Sequence, residues 1–160
     1  LAESLGTDLS AHSGAHTGRS YMVFIPPESR TPIPAEWADY FEDTGRLAAF
    51  ADDQRHNQRL KIRTCGIMWF EKTIPIRSRT KTPMGIYTRD FARQGTGFLS
   101  SCEIYPEEQV WIVLPTFWVQ LRVARARRIN DQCYEIGAVL SRQHEPDSDA
   151  FVSEPYPASV

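Results

Sequence analysis

The chain has 160 residues, 41% of them hydrophobic and 11% aromatic, enough for one globular domain and too few for two of ordinary size. That composition excludes wholesale disorder, and the absence of any run of about 18 apolar residues excludes a membrane-spanning helix. The net charge of −2 conceals a segregation: residues 1–54 carry a net −6, residues 55–142 a net +8 and residues 143–160 a net −4, so an anionic ligand is to be sought in the middle.

Residues 1–33 read as a flexible leader, rich at first in Ser, Gly, Ala, Thr and His and without periodicity. Its first twenty residues lack the basic start and apolar stretch of a secretory signal. Residues 34–53 form a helical segment in this reading. Trp37, Tyr40, Phe41, Leu47 and Phe50 recur at three- and four-residue steps, and Pro34 with Glu36 and Asp39 suits a helix start. A helix is expected from about Ala35 to Ala51, kinked or split at Gly45, with its aromatic stripe used for packing.

After Asp53 the hydrophobic period becomes that of strands, expected at Ile62–Phe70, Met84–Asp90, Gly97–Ser101, Val110–Leu114, Trp118–Ile129 and Gln132–Leu140. Asn130-Asp131 reads as a two-residue hairpin turn. Phe117, Val119, Leu121 and Val123 share one face, with Gln120 and Arg122 on the other, and Trp111 is expected in the core. Six short strands over residues 54–142 with no helical pattern between them predict a small antiparallel barrel or sandwich. Residues 143–160, with three prolines and four acids, read as a disordered tail.

The three cysteines are widely spaced and odd in number, which gives no disulfide framework. His12 and His16 lie in the leader without further ligands nearby, so no metal is expected. Gly95-Thr96-Gly97 is too short for a dinucleotide loop, and no serine or cysteine is paired with a plausible base. Neither an enzyme nor a bound cofactor is indicated.

Two short motifs carry the functional reading. Arg55-His56-Asn57-Gln58-Arg59 is an Arg-x-x-x-Arg pair just before the first strand, and Asp90-Phe91-Ala92-Arg93-Gln94-Gly95 lies between the second and third. In this order and strand context, residues 52–141 resemble the PilZ domain, the bacterial receptor module for cyclic di-GMP. That family has an Arg-x-x-x-Arg motif before a six-stranded antiparallel barrel and an Asp/Asn-x-Ser-x-x-Gly motif after the second strand. The closing piece CYEIGAVL, Cys133 to Leu140, is similar to the family's final strand.

The resemblance implies a mainly β fold, a six-stranded PilZ-like antiparallel barrel preceded here by the N-terminal helix, in a bacterial cytoplasmic protein that signals without catalysis. It assigns phosphate and guanine contacts to Arg55 and Arg59, a base-edge contact to Asp90, and the remaining motif positions to Ala92 and Gly95. Gly95 would allow a turn and close approach of backbone to ligand. Arg93 is a possible addition. The chemistry is sound, since guanidinium groups bond bidentately to guanine O6 and N7 and pair with phosphate.

Ala92 stands where the family has Ser. One missing neutral hydrogen bond, about 0.5–1.5 kcal/mol, weakens binding by roughly 2- to 13-fold rather than abolishing it. A downstream protein partner is implied. Two alternatives stay open: a PilZ-like interaction module that has lost nucleotide binding, and a small basic barrel that holds nucleic acid through Arg125-Ala126-Arg127-Arg128, with Trp111 and Trp118 as stacking platforms. Arg125 or Arg127 could equally face the ligand groove.

Overall fold

The computed structural model describes residues 27–46, 58–114 and 117–144. Eight strands follow one another: β1 (Gly45–Arg46), β2 (Leu60–Lys61), β3 (Cys65–Lys72), β4 (Met84–Ala92), β5 (Gly95–Ser100), β6 (Gln109–Val113), β7 (Trp118–Asn130) and β8 (Cys133–His144). The last six pair in the cyclic order β4-β3-β6-β7-β8-β5, and the β4–β5 pairing completes a closed antiparallel barrel. Closure leaves these six without a free edge, while β2 and β1 extend from β4 through a single Leu60–Phe91 pair. No helix among the described residues is long and apolar enough to cross a membrane.

The alternation read from the sequence sets the barrel interior. Met68, Phe70, Ile86, Phe98, Val110, Ile112, Val119, Leu121, Val123 and Ile136 form one buried cluster, with Ile104 contributed by a connection. Each of the six expected strands is present. The tight turn is shifted by one residue: Asn130 pairs with Cys133, and Asp131-Gln132 makes the loop. The Asn130 side-chain oxygen accepts the Gln132 N–H at 2.9 Å, which holds Asn130 on the strand side of the turn.

The helix expected over 35–51 does not form across its described part, and residues 47–51 lie outside the described residues. Ala35–Trp37 is one 3₁₀ turn, preceded by Pro34 with φ −51° and ψ 139° and no side-chain cap. Gly45 has φ +117°, a conformation that ends any right-handed helix, and it opens β1 instead. The aromatic spacing serves packing, as expected. Tyr40, Trp37 and Phe41 cover Leu99, Cys133 and Tyr87 on the outside of the barrel.

The flexible leader is likewise too long by its last residues. Thr31 is buried, and both its N–H and its hydroxyl donate to the Gly85 carbonyl, which ties the segment to β4. At the other end β8 runs to His144, past the expected boundary at 142.

Tyr40 is 3% exposed and its hydroxyl donates to the Thr88 carbonyl at 2.7 Å. Burial pushes its phenol up to about 12 from the ordinary 10.0. The neutral form is therefore favoured by folding. That contribution is complete below pH 10 and is lost as pH rises towards 12. Melting temperature is expected to fall more steeply for the parent than for Tyr40→Phe across that window, and parallel slopes would refute the assignment.

A second buried polar group closes a connection. Glu108 is 0% exposed and accepts from Arg79 Nε at 3.0 Å, Arg79 Nη2 at 2.6 Å and the Tyr105 N–H at 2.8 Å. Arg79 lies over the Phe70 ring, 4.7 Å from its centroid.

Candidate functional site

Two β-bulges build the site. In β4, Ile86 points into the core, so plain alternation would send Asp90 inward as well. The β4–β5 register shifts between Thr88 and Asp90, leaving Arg89 as an extra residue. The shift puts Phe91 inside and Asp90 outside, opposite Gly97. In β7 the same device acts between Val123 and Arg125: Val123 and Ala126 pack inward, and Arg125 emerges outside, opposite Gly137. Since Gly97 pairs with Gly137, the outer surface carries one continuous row, Asp90–Gly97–Gly137–Arg125, across β4, β5, β8 and β7.

The row has charged residues at its ends and two glycines, without side chains of their own, between them. Its ends are three strand spacings apart, about 14 Å. An added methyl at Gly97 would lie 2.9 Å from Asp90 Oδ2, and one at Gly137 would lie 2.8 Å from Arg125 Nε, so both end groups lean over the glycines. Asp90 is 3% exposed, and Arg59 Nη1 donates to its Oδ1 at 2.6 Å. Arg89 Nε stands 4.0 Å from the other oxygen. Thr96 fixes the Asp90 backbone by donating its hydroxyl to the carbonyl at 2.7 Å.

The next row outward adds charge. Glu135 accepts from both Arg89 and Arg127, and Arg128 pairs with Asp131. Beside it opens a cleft of about 180 Å³ lined by Trp37, Tyr40, Asp43, Arg63, Arg89 and Arg127 among others. Arg63 lies over the Tyr40 ring at 4.3 Å and donates to Asp43 Oδ2 at 3.0 Å, while its buried Nε has no acceptor among the described residues. Lys61, which donates to Asp43, and the nearby Arg63 charge hold the Asp43 carboxyl below its usual range. No group of His, Cys, Asp and Glu that could hold a metal occurs among the described residues.

The positions expected from the sequence thus divide. Arg59 and Asp90 meet. Arg55 lies outside the described residues. Ala92, Arg93 and Gly95 instead line an apolar cavity of about 280 Å³ at the end of the β4–β5 hairpin, with Phe117 and Leu140. Gly95 does not turn the chain: its φ is not positive, and an added methyl would run into the Ala138 carbonyl, so glycine is needed there to seat β5 against β8. The turn itself is Arg93-Gln94, between the paired Ala92 and Gly95.

Arg89, Gly97 and Gly137 were not assigned site positions from the sequence. Nothing there marks a bulge, although Gly137 sits within the final-strand phrase that carries the family resemblance. Trp111 is a further correction. It stacks on Trp69 outside the barrel, with centroids 6.4 Å apart, because β6 is apolar on both faces. Comparison with family models, curated proteins and solved structures finds no match for this chain.

Proposed function

We propose that the chain is a receptor for cyclic di-GMP of the PilZ type, binding the ligand over the glycine row and signalling by rearrangement of the segment that carries Arg55 and Arg59. The observation that supports this reading is the row Asp90–Gly97–Gly137–Arg125 with Arg59 and Arg89 at its acidic end. A flat purine needs a floor without side chains, and glycine supplies it on two adjacent strands. Guanidinium groups suit guanine O6 and N7 and the phosphates, while a carboxylate accepts from guanine N–H groups. Without ligand the Asp90 carboxylate is held by Arg59, so binding exchanges that pair for ligand contacts and draws the arginine-bearing segment onto the ligand. No bond is made or broken in this role.

Calorimetric titration with cyclic di-GMP, with GTP as the control, tests the proposal. Saturable heat with the cyclic dinucleotide alone is expected. Arg55→Ala and Arg59→Ala should each weaken binding roughly 5- to 160-fold, the worth of one bidentate arginine–guanine pair. Arg55→Ala should leave the ligand-free melting curve nearly unchanged. Arg59→Ala should lower it, because Asp90 loses its partner. No heat and no thermal shift with either ligand would instead favour the lapsed receptor, an interaction module marked by Ala92.

A further inference from the structure

The sheet face formed by β3, β6 and β7 carries three of the four tryptophans of the chain, away from the glycine-floored row. Two rows of partners cross it. One is Ile67–Val113–Trp118–His144 and the other is Trp69–Trp111–Gln120–Arg142. Trp69 stacks on Trp111 and meets Trp118 edge-on, each at 6.4 Å between centroids. Beneath them Ile67 and Val113 are buried outside the barrel core, in a cluster of their own with Trp69 and Trp118. The Trp118 indole N–H is buried and finds no acceptor among the described residues. Gln120 is engaged with Glu71, which takes that carboxylate out of consideration.

Stacked and edge-on indoles make a surface for proline rings. The same chain has such a peptide next to it. Residues 145–160 follow His144, the direct pairing partner of Trp118, and contain Pro146, Pro155, Pro157, Phe151 and Tyr156. They also carry Glu145, Asp147, Asp149 and Glu154 and no basic residue, and Arg142 stands in the tryptophan row. Reach is ample. From β8 to β3 is three strand spacings, about 14 Å, which about five residues in an extended polyproline conformation cover at 3.1 Å each.

We propose that residues 145–160 dock back on this tryptophan face, laying prolines on the indole rings and acidic side chains near Arg142. The barrel then caps its own half-buried aromatic surface, and any acidic, proline-bearing peptide from elsewhere must displace the segment to bind. The proposal stands independently of the nucleotide reading, because no residue is shared between the two surfaces.

Isotope-filtered nuclear Overhauser spectra of the full chain, taken on an equal mixture of labelled and unlabelled protein, test it directly. Contacts from the Trp111 and Trp118 indole protons to protons of residues 145–160 are expected within one molecule. The variant P146A/P155A/P157A should lose them. Contacts found only between copies would overturn the proposal in favour of a dimer through this face. Absence of any contact to residues 145–160 in the parent would overturn it outright.

Discussion

Glu108→Ala will destabilise the domain by about 3–5 kcal/mol, the usual cost of removing one partner of a buried ion pair. Three donors converge on this carboxylate, two from Arg79 and one from the Tyr105 backbone. Glu108 has no exposure, and the Arg79 side chain is 11% exposed, so neither solvent nor another acid takes over when the carboxylate is gone. The alanine variant leaves a buried guanidinium and an orphaned backbone N–H at once. Arg79→Ala should cost a similar amount, and the double variant less than the sum, because the second removal relieves the unpaired charge left by the first. Urea unfolding of the four proteins is the measurement. Strict additivity, or a single-variant loss below about 1 kcal/mol, would show that the pair is solvated in solution.

Gly137→Val is the sharpest test of the proposed site. It should weaken cyclic di-GMP binding by roughly 30-fold to more than 10⁴-fold, combining about 1–3 kcal/mol for filling the floor with about 1–3 kcal/mol for moving Arg125. Stability should change little, since the atoms nearest a new side chain belong to the flexible Arg125, its Nε at 2.8 Å and Cγ at 2.9 Å. Gly95→Val is the contrasting control. There the obstacle is the Ala138 backbone, so the β5–β8 pairing itself must open and the melting temperature should drop. Parental affinity in a folded Gly137→Val protein would place any nucleotide site somewhere else.

The strands were legible because a barrel buries one face of each and the alternation survives in the sequence, most clearly from Phe117 to Val123. Two motifs whose order and strand context agreed singled out Arg59 and Asp90 as ligand contacts, and the fold brings the two side chains together. What failed has physical reasons. The three- and four-residue spacing of Trp37, Tyr40 and Phe41 fits a helix, but it also fits a turn wrapped against a sheet, and only Gly45 with its positive φ separates the two. Trp111 was misjudged because apolar residues can line the outside of a barrel as well as the inside. The glycine floor was invisible for a different cause. A bulge adds one residue without any compositional mark, and from Arg89 and Ala124 onward it inverts which side chains face out.

The pairing of β5 with β8 sets residues 95–100 against residues 134–139, a contact distant along the chain, whereas β4–β5 and β7–β8 are local hairpins. Loop-closure entropy places such a distant seam late in folding, after the hairpins that flank it. Asp90 and Gly97 belong to one hairpin, Gly137 and Arg125 to the other. The glycine row is therefore assembled only when the seam shuts, and a ligand bound across it would clasp two halves that otherwise part first. On the proposed reading, occupancy is a kinetic lock: it slows the opening of the barrel more than it speeds its closing.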